Sequence, residues 1–571
     1  MLARVAALFV LLVSGVSAAA EDRPAPDHVR ESLYVEVRDG TRLAVNIYRP
    51  ANGGEAVAEK RPVVFAFTPY RSRFRNEAGE VSEVALNDGL ALSSLLSSGY
   101  VVAVADIRGK GASFGARRGF QDRTEAQDGH DLVEWLARQP FSSGKVGMIG
   151  CSYLGGTTFH TASTTPPSLK AVFVGATDLD KYAFVRGGGI TAQFNTRPDE
   201  PAEVDLASIP VDEDTDGALL REAVAEHAAN TPMGPLWYDM PFRDSVSSFT
   251  GNAFWDEVGI YTHLDAIRAA GIATYFWGNW RDEPTGQVIL AAANLGGKFL
   301  AGPGDHCVPP AGLDFAGEVV RYFDHHLKGI DNGIAEAPRA TWFVDDADGG
   351  YYVSSNELPG IQSRGVVPWF LGAQRSGESG AGGLLTAPGE QARTSFDVDY
   401  DLPPSEYFAF WPGAMDAHGV HYTSEPLAAP MTLIGFPVIH LTVTSTHPEA
   451  DLFVYLDLVG ADGSAEVISF GRLKLSHRQL AQAPYDTLGL PWHSGRSTDV
   501  VGLEPGEQAP VSIAMTPLSR VIPKGGRIRT VVAGADPRQR NLHEIKLNPP
   551  PEISVLTGGR DPSRIELPLA F

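Results

Sequence analysis

A chain of 571 residues exceeds what a single hydrophobic core serves, so two or three domains are expected. Its 43% hydrophobic and 20% charged residues are the proportions of a folded protein rather than a disordered one. The formal net charge of −23, with no run of basic residues anywhere, excludes nucleic acid and anionic membrane surfaces, because phosphate recognition needs a basic stripe.

Residues 1–20, MLARVAALFVLLVSGVSAAA, read as a secretory signal peptide. Arg4 gives the positive start, Val5 to Val16 is almost wholly apolar, and the small residues around Ala18 and Ala20 suit cleavage. The stretch is too short for a membrane span and no other segment is long enough, so the mature chain is expected to be exported, periplasmic or extracellular. From Ser32 to Pro50 apolar and polar residues alternate around Asp39-Gly40, the pattern of a hairpin. RPVVFAFTPY and GYVVAVADIRG, ending at Tyr70 and Gly109, are near-continuous apolar runs, as in strands covered on both faces. Leu132, Val133, Trp135 and Leu136 mark an amphipathic helix between Thr124 and Gln139. GKVGMIG is a further buried strand, and Tyr153 to Ala162 continues as a helix.

This alternation predicts an α/β domain over 21–184. Residues 185–261 break the rhythm with acidic and helical stretches and are assigned to a helical lid insertion. The α/β pattern resumes over 262–334 with GIATYFWG and GGKFLAGPG. Beyond 334 the strands alternate and are punctuated by turns, which predicts an all-β domain over 335–571, built as two packed sheets.

The chemistry is expected at GMIGCSYLGG, residues 147–156, where Ser152 stands between a strand and a helix. A nucleophile on so sharp a turn needs small neighbours. Gly150 fits the generic G-x-S-x-G pattern, while the second glycine falls one place late, at Gly155. The partners follow in the order serine, carboxylate, histidine. Asp282 closes the strand of YFWGNWRD, and His306 lies on the loop of LAGPGDHCV. Both fall at carboxyl ends of sheet strands, where open α/β sheets gather their sites. A serine hydroxyl needs a base to take its proton, and that base needs a carboxylate to fix its tautomer. Asp178 and Asp180, after the strand AVFVGATDLD, are the alternative carboxylates. His160, eight residues past Ser152, is read as a packing or polar residue.

These stretches resemble the family that contains bacterial cocaine esterases, α-amino acid ester hydrolases, glutaryl cephalosporin acylases and X-Pro dipeptidyl-peptidases. The resemblance runs along nearly the whole mature chain. VRDGTRLAVNIYRP is similar to the family's opening hairpin, FTPYRSR to its oxyanion-tyrosine segment, and ADIRGKGASFG with EAQDGHDLVEWLARQPFSSGKVGMIGCSYLGG to its central signature. HYTSEPLAAPMTLIGFPVIHLTVTS is similar to the start of its jelly roll, and Gly-x-Ser-Tyr-x-Gly is the family's own elbow. The resemblance implies an α/β-hydrolase domain with an inserted helical lid, followed by a C-terminal jelly roll. It implies Ser152 as nucleophile, His306 as general base and acid, and Asp282 as its orienter. The oxyanion hole would combine the Tyr70 hydroxyl with the Tyr153 backbone N–H, and Trp280 would line the acyl pocket. Ala273 departs from a proline usual in the family. The acidic cluster that holds a substrate ammonium in the amino acid ester hydrolases is incomplete here, since Glu283 is followed by Pro284.

Three features are read as structural. Asp212, Asp214 and Asp216 mimic half a calcium loop, but Ala223 stands at its twelfth position, so they are assigned to an acidic helix start. DVDYD from Asp397 has no glycine turn and gets the same reading. Cys151 and Cys307 flank Ser152 and His306 and are expected to be two free, mostly buried thiols, because the residue beside an elbow serine points into the sheet core; a disulfide clipping the histidine loop to the elbow is the alternative in an exported protein. The reading is therefore a secreted serine hydrolase acting on a small ester, amide or short peptide through an acyl-enzyme, of esterase or acylase type, with no cofactor and no metal. X-Pro dipeptidyl-peptidase activity is the alternative, and a non-catalytic exported glycan-binding protein is the alternative from another class.

Overall fold

A computed structural model of the protein describes residues 26–192, 197–360, 365–374, 380–403, 405–539 and 546–570. The signal-peptide assignment therefore lies outside the described residues. The first sheet contains β1 (His28–Glu36), β2 (Arg42–Asn52), β3 (Arg61–Thr68), β4 (Val101–Asp106) and β5 (Ser142–Cys151). It continues with β6 (Leu169–Gly175), β7 (Ala273–Asn279), β8 (Lys298–Gly302), β9 (Ala340–Val344) and β10 (Tyr351–Ser355). Their order is β1-β2-β4-β3-β5-β6-β7-β8-β9-β10. All neighbours from β4 to β9 pair parallel, while β1, β2 and β10 join antiparallel. The apolar runs are central strands: Val63 to Phe67 and Val101 to Ala105 are at most 1% exposed. This is the α/β-hydrolase arrangement.

Helices cover the sheet. α1 (Arg123–Ala137) turns Leu132, Val133 and Leu136 onto it, and the Asp122 side chain caps its first turn by accepting from the Glu125 N–H. α2 (Tyr153–Ala162) follows β5 directly and is buried along its whole length. α3 (Thr285–Leu295) links β7 to β8. Two strands beyond residue 334, β9 and β10, extend this sheet. The loss of helical character at 334 thus marks the end of the crossovers, not the end of the first sheet.

Within 185–261 the helices are short, among them Ala202–Leu206, Ala218–Glu226, Met233–Tyr238 and Phe254–Val258. They close on a small core of their own, where the Trp237 and Trp255 rings stack at 5.1 Å. Asp214 accepts from the N–H groups of Leu219 and Leu220, Asp216 from that of Ala218, and Asp212 from that of Ser32. Two of these carboxylates thus serve the start of one helix and the third pins β1.

The C-terminal domain is β-rich. Most of its strands join one 11-stranded hydrogen-bonded sheet, and Met431–Gly435 pairs with Leu518–Ile522 as a separate two-stranded one. Val438–Ser445 explains the continuity: it bonds Ala509–Ala514 on one edge and, at different residues, both Glu552–Thr557 and Arg564–Pro568 on the other. A register break between Leu371 and Gln374 bends another strand. The sheet closes around a core that includes Leu371, Tyr422, Ile439, Phe453, Val531 and Ile565. Asp180 joins this domain to the rest. It takes Arg243 of the insertion through both oxygens, at 2.8 and 2.9 Å, and accepts from the Tyr485 hydroxyl at 2.9 Å.

Candidate active site

The elbow at the end of β5 holds Ser152 at φ 59°, ψ −128°, a backbone region that residues with side chains rarely occupy. Its neighbours show why the stretch is glycine-rich. A Cβ on Gly150 would lie 2.2 Å from the Leu154 carbonyl oxygen, and one on Gly155 would lie 2.3 Å from that of Gly175. Gly155 therefore lets α2 pack against β6, which is the job of the displaced second glycine. Gly156 leaves room for the Gln121 carboxamide, which a Cβ there would strike.

β7 and β8 deliver the other groups. Asp282 follows β7 and is 1% exposed, and His306 Nδ1 lies 2.9 and 3.0 Å from its two carboxylate oxygens. Burial pushes the Asp282 carboxyl up from the usual carboxylate range, and the adjacent His306 opposes that rise. With Nδ1–H donating to Asp282, the lone pair sits on Nε2. That atom is buried and has no hydrogen-bond partner among the described residues. No hydrogen bond from Ser152 to Nε2 is closed, and the Ser152 hydroxyl lies near enough to the Tyr70 phenol to lower its pKa. The Asn279 side chain, at the end of β7, braces the histidine loop by donating to the carbonyls of Asp305 at 2.7 Å and Val308 at 2.8 Å.

Tyr70 is 37% exposed as a residue, yet desolvation acts on its hydroxyl. That desolvation raises its pKa, and the Ser152 hydroxyl together with the Tyr153 backbone N–H partly offset the rise. The hydroxyl and that N–H thus converge beside the serine. Tyr153 is itself held from two sides. Its phenol donates to Glu125 Oε2 at 2.8 Å, and its carbonyl accepts from Gln121 Nε2 at 3.0 Å. Lys181 bridges Gln121 to Asp178, the latter at 2.7 Å. Burial, with Asp122 adding to it, pushes the Glu125 carboxyl up to about 8 although the Tyr153 hydrogen bond opposes the rise.

The structure brings together Ser152, Tyr70 and Tyr153 on one side and Asp282 with His306 on the other. The alternative carboxylates are committed elsewhere, Asp178 to Lys181 and Asp180 to Arg243. His160 is buried, and desolvation with the charges of Lys181 and Arg123 holds it neutral. Two expectations are corrected. Trp280 lines neither of the two cavities described below: it is 7% exposed in the main core, and its indole N–H donates to the Phe343 carbonyl at 2.6 Å, tying the end of β7 to β9. Cys151 and Cys307 are not free thiols but a disulfide, with Cα atoms 5.9 Å apart. Cys151 does sit in the core, yet Cys307 takes a left-handed φ of 58°, which turns the histidine loop back down onto the elbow.

Sequence reasoning also missed Phe410, whose ring stacks on His306 at 4.3 Å from a loop of the β-rich domain. The signal was the aromatic density of EYFAFW, residues 406–411. A small cavity beside Tyr70 and Tyr153 is walled by Phe120, Met233, Lys110 and Arg117. A larger one of about 230 Å³ lies where the first domain, the insertion and the β-rich domain meet, and Ser152, Tyr70 and His306 do not line it. Glu283, on its wall, pairs with Arg472 at 2.8 Å.

Comparison with known proteins supplies the context. Residues 39–308 match the model of the X-Pro dipeptidyl-peptidase (S15) family, and residues 332–565 match the X-Pro dipeptidyl-peptidase C-terminal non-catalytic domain. A Mycobacterium bovis protein bearing the name serine esterase is 27% identical over 94% of this chain and 95% of its own. The cocaine esterase of a Rhodococcus species is 24% identical over 89% of this chain and 91% of its own. Among solved structures, a CocE/NonD family hydrolase from Staphylococcus aureus superposes with a TM-score of 0.73 at 19% identity, covering 95% of this chain and 94% of its own. An α-amino acid ester hydrolase gives a TM-score of 0.69 at 17% identity, covering 98% and 99%.

Proposed function

We propose that this chain, whose residues 39–308 match the X-Pro dipeptidyl-peptidase (S15) family, is a serine hydrolase of that family that cleaves a small ester or amide through an acyl-enzyme on Ser152. The observation that carries this reading is the convergence of a strained serine, a tyrosine hydroxyl and a backbone N–H, next to a histidine whose far nitrogen is already paired with a buried carboxylate. Ser152 Oγ turns toward His306 when substrate arrives, and attacks the carbonyl carbon as His306 Nε2 takes its proton. Asp282 holds Nδ1–H and stabilises the imidazolium. Charge that develops on the carbonyl oxygen is met by the Tyr70 hydroxyl and the Tyr153 N–H, each worth about 3 kcal/mol of barrier. His306 then protonates the leaving group, and a water activated by the same nitrogen releases the acid.

Esterase or acylase action fits better than dipeptidyl-peptidase action. A dipeptidyl-peptidase must hold the substrate's free ammonium with a carboxylate, whereas the two on the wall of the cavity beside Tyr70, Asp199 and Glu200, already face Arg117 at 3.8 Å and Lys110 at 2.8 Å, and Arg472 occupies Glu283. The β-rich domain acts as a jelly roll that closes the site, lending Phe410 to the face of His306. Export through residues 1–20 agrees with a disulfide, which persists in oxidising compartments. A panel of p-nitrophenyl esters, side-chain amides and X-Pro anilides tests the substrate class. Turnover of esters or amides well above the X-Pro anilide is expected, and a preference for the anilide would overturn it.

A further inference from the structure

We propose that the Cys151–Cys307 disulfide positions His306 against Ser152, and that its reduction by a dithiol switches turnover off reversibly. The inference rests on the roles proposed above for those two residues. The bridge joins the residue before the nucleophile to the residue after the base, across 156 residues of sequence. Its two ends differ in kind. Cys151 closes β5 and packs with Ile149, Leu154 and Trp277, in a core that does not move without the sheet. Cys307 sits on a loop that leaves β8 at Gly302, between the exposed Asp305 and Val308.

Without the bridge, that loop keeps the two Asn279 hydrogen bonds at Asp305 and Val308, the Arg281 N–H bond to the Gly304 carbonyl, the His306–Asp282 contact and the Phe410 ring on His306. These hold the loop to the end of β7 and the histidine between its carboxylate and the β-rich domain. None of them reaches the elbow. Cys307 also holds a left-handed backbone conformation that a residue with a side chain adopts only when surroundings impose it. Among the described contacts, the disulfide is the covalent constraint that fixes both this conformation and the approach of the loop to Ser152. Breaking it removes the tie between the histidine loop and the elbow while leaving the sheet, the elbow and the oxyanion donors in place.

The partly exposed Cys307 is the end a reductant reaches. A thiolate of the dithiol attacks the Cys307 sulfur, the S–S bond breaks, and Cys151 leaves as a thiolate that takes a proton. The second thiol of the reductant then displaces Cys307 from the mixed disulfide. Two electrons and two protons pass to the enzyme and the reductant ends as its own disulfide. A shift of the base by about 1 Å is enough to lower turnover on the order of 10²-fold.

The test starts from protein purified without reductant and labelled on Ser152 by a fluorophosphonate. An unlabelled protein would fail the catalytic reading, and the redox inference with it. A separate portion of the same preparation, never exposed to the probe, is then treated with dithiothreitol under native conditions, alkylated in one aliquot, and assayed in another on the best ester of the panel. The expected result is two alkylated cysteines only after reduction, kcat lower by about 10²-fold with KM and circular dichroism little changed, and recovery on reoxidation with diamide. Cys307→Ala should match the reduced enzyme and ignore dithiothreitol. Two free thiols in the untreated protein, full activity after both cysteines are reduced, or activity lost only together with the circular dichroism signal would each overturn the inference.

Discussion

Replacing Tyr70 with phenylalanine removes one oxygen from the site and little else. The ring keeps its edge-on contact with Tyr153, at 6.4 Å between centroids, so the packing survives. What disappears is the hydroxyl that faces Ser152 and the Tyr153 N–H. Burial raises the Tyr70 pKa, so the group is a protonated donor throughout the range in which esters are assayed. Its removal leaves the Tyr153 N–H as the remaining donor of the pair. The loss of one such donor amounts to about 2.7–4 kcal/mol of barrier, or roughly 10²- to 10³-fold in kcat. Because the oxyanion is bound more tightly than the ground-state carbonyl, KM should hardly move. Thermal stability should fall by only about 1 kcal/mol, the value of one neutral hydrogen bond. Steady-state kinetics of Tyr70→Phe against the parent decide the matter. A kcat within threefold of the parent, or a defect confined to KM, would place Tyr70 in substrate binding and refute the oxyanion assignment.

Other outcomes follow from the same geometry. Asp282→Asn should lower kcat by about 10⁴-fold, since an amide favours the wrong tautomer of His306, and a loss under tenfold in steady-state assays would point to another carboxylate. Gln121→Leu should lower kcat more than it raises KM, because Tyr153, whose N–H faces the oxyanion, loses the side chain that holds its carbonyl on the following peptide; an unchanged rate of fluorophosphonate labelling would contradict this. Arg243→Leu leaves Asp180 charged and buried, and should cost about 3–5 kcal/mol in urea unfolding, against a change under 1 kcal/mol if the pair is dispensable. Glu125, raised in the folded protein to about 8, carries a proton there that it loses in the unfolded chain. Its contribution is fully present below the ordinary glutamate range and is lost as pH rises toward 8, so Glu125→Gln should flatten the fall in thermal midpoint between pH 5 and pH 8. An unaltered slope would mean that Glu125 is ionised in the fold.

The α/β order was legible because Val63 to Phe67 and Val101 to Ala105 are buried on both faces, and such strands leave unbroken apolar runs. The elbow was legible because backbone crowding at Gly150 and Gly155 admits no side chain, which writes itself into the sequence as glycine. Long-range pairings leave no such mark. Nothing in the residues around Cys307 announces that its backbone turns left-handed and brings the sulfur back to β5. Trp280 was misplaced for a related reason: its spacing from Asp282 suits a pocket, but the Phe343 carbonyl on β9, 63 residues away, claims its indole. The same holds for Phe410, which reaches His306 from another domain. The extent of the first sheet was obscured because β9 and β10 follow the last helical crossover and have the composition of the domain after them.

The most direct test of the account is to treat the oxidised protein with a fluorophosphonate and map the adduct by mass spectrometry. The account predicts a single modified residue, Ser152, with no labelling and no turnover in Ser152→Ala, whose thermal midpoint stays near the parent's. A properly folded protein that takes no label, or one in which Ser152→Ala retains activity within tenfold of the parent, would contradict it.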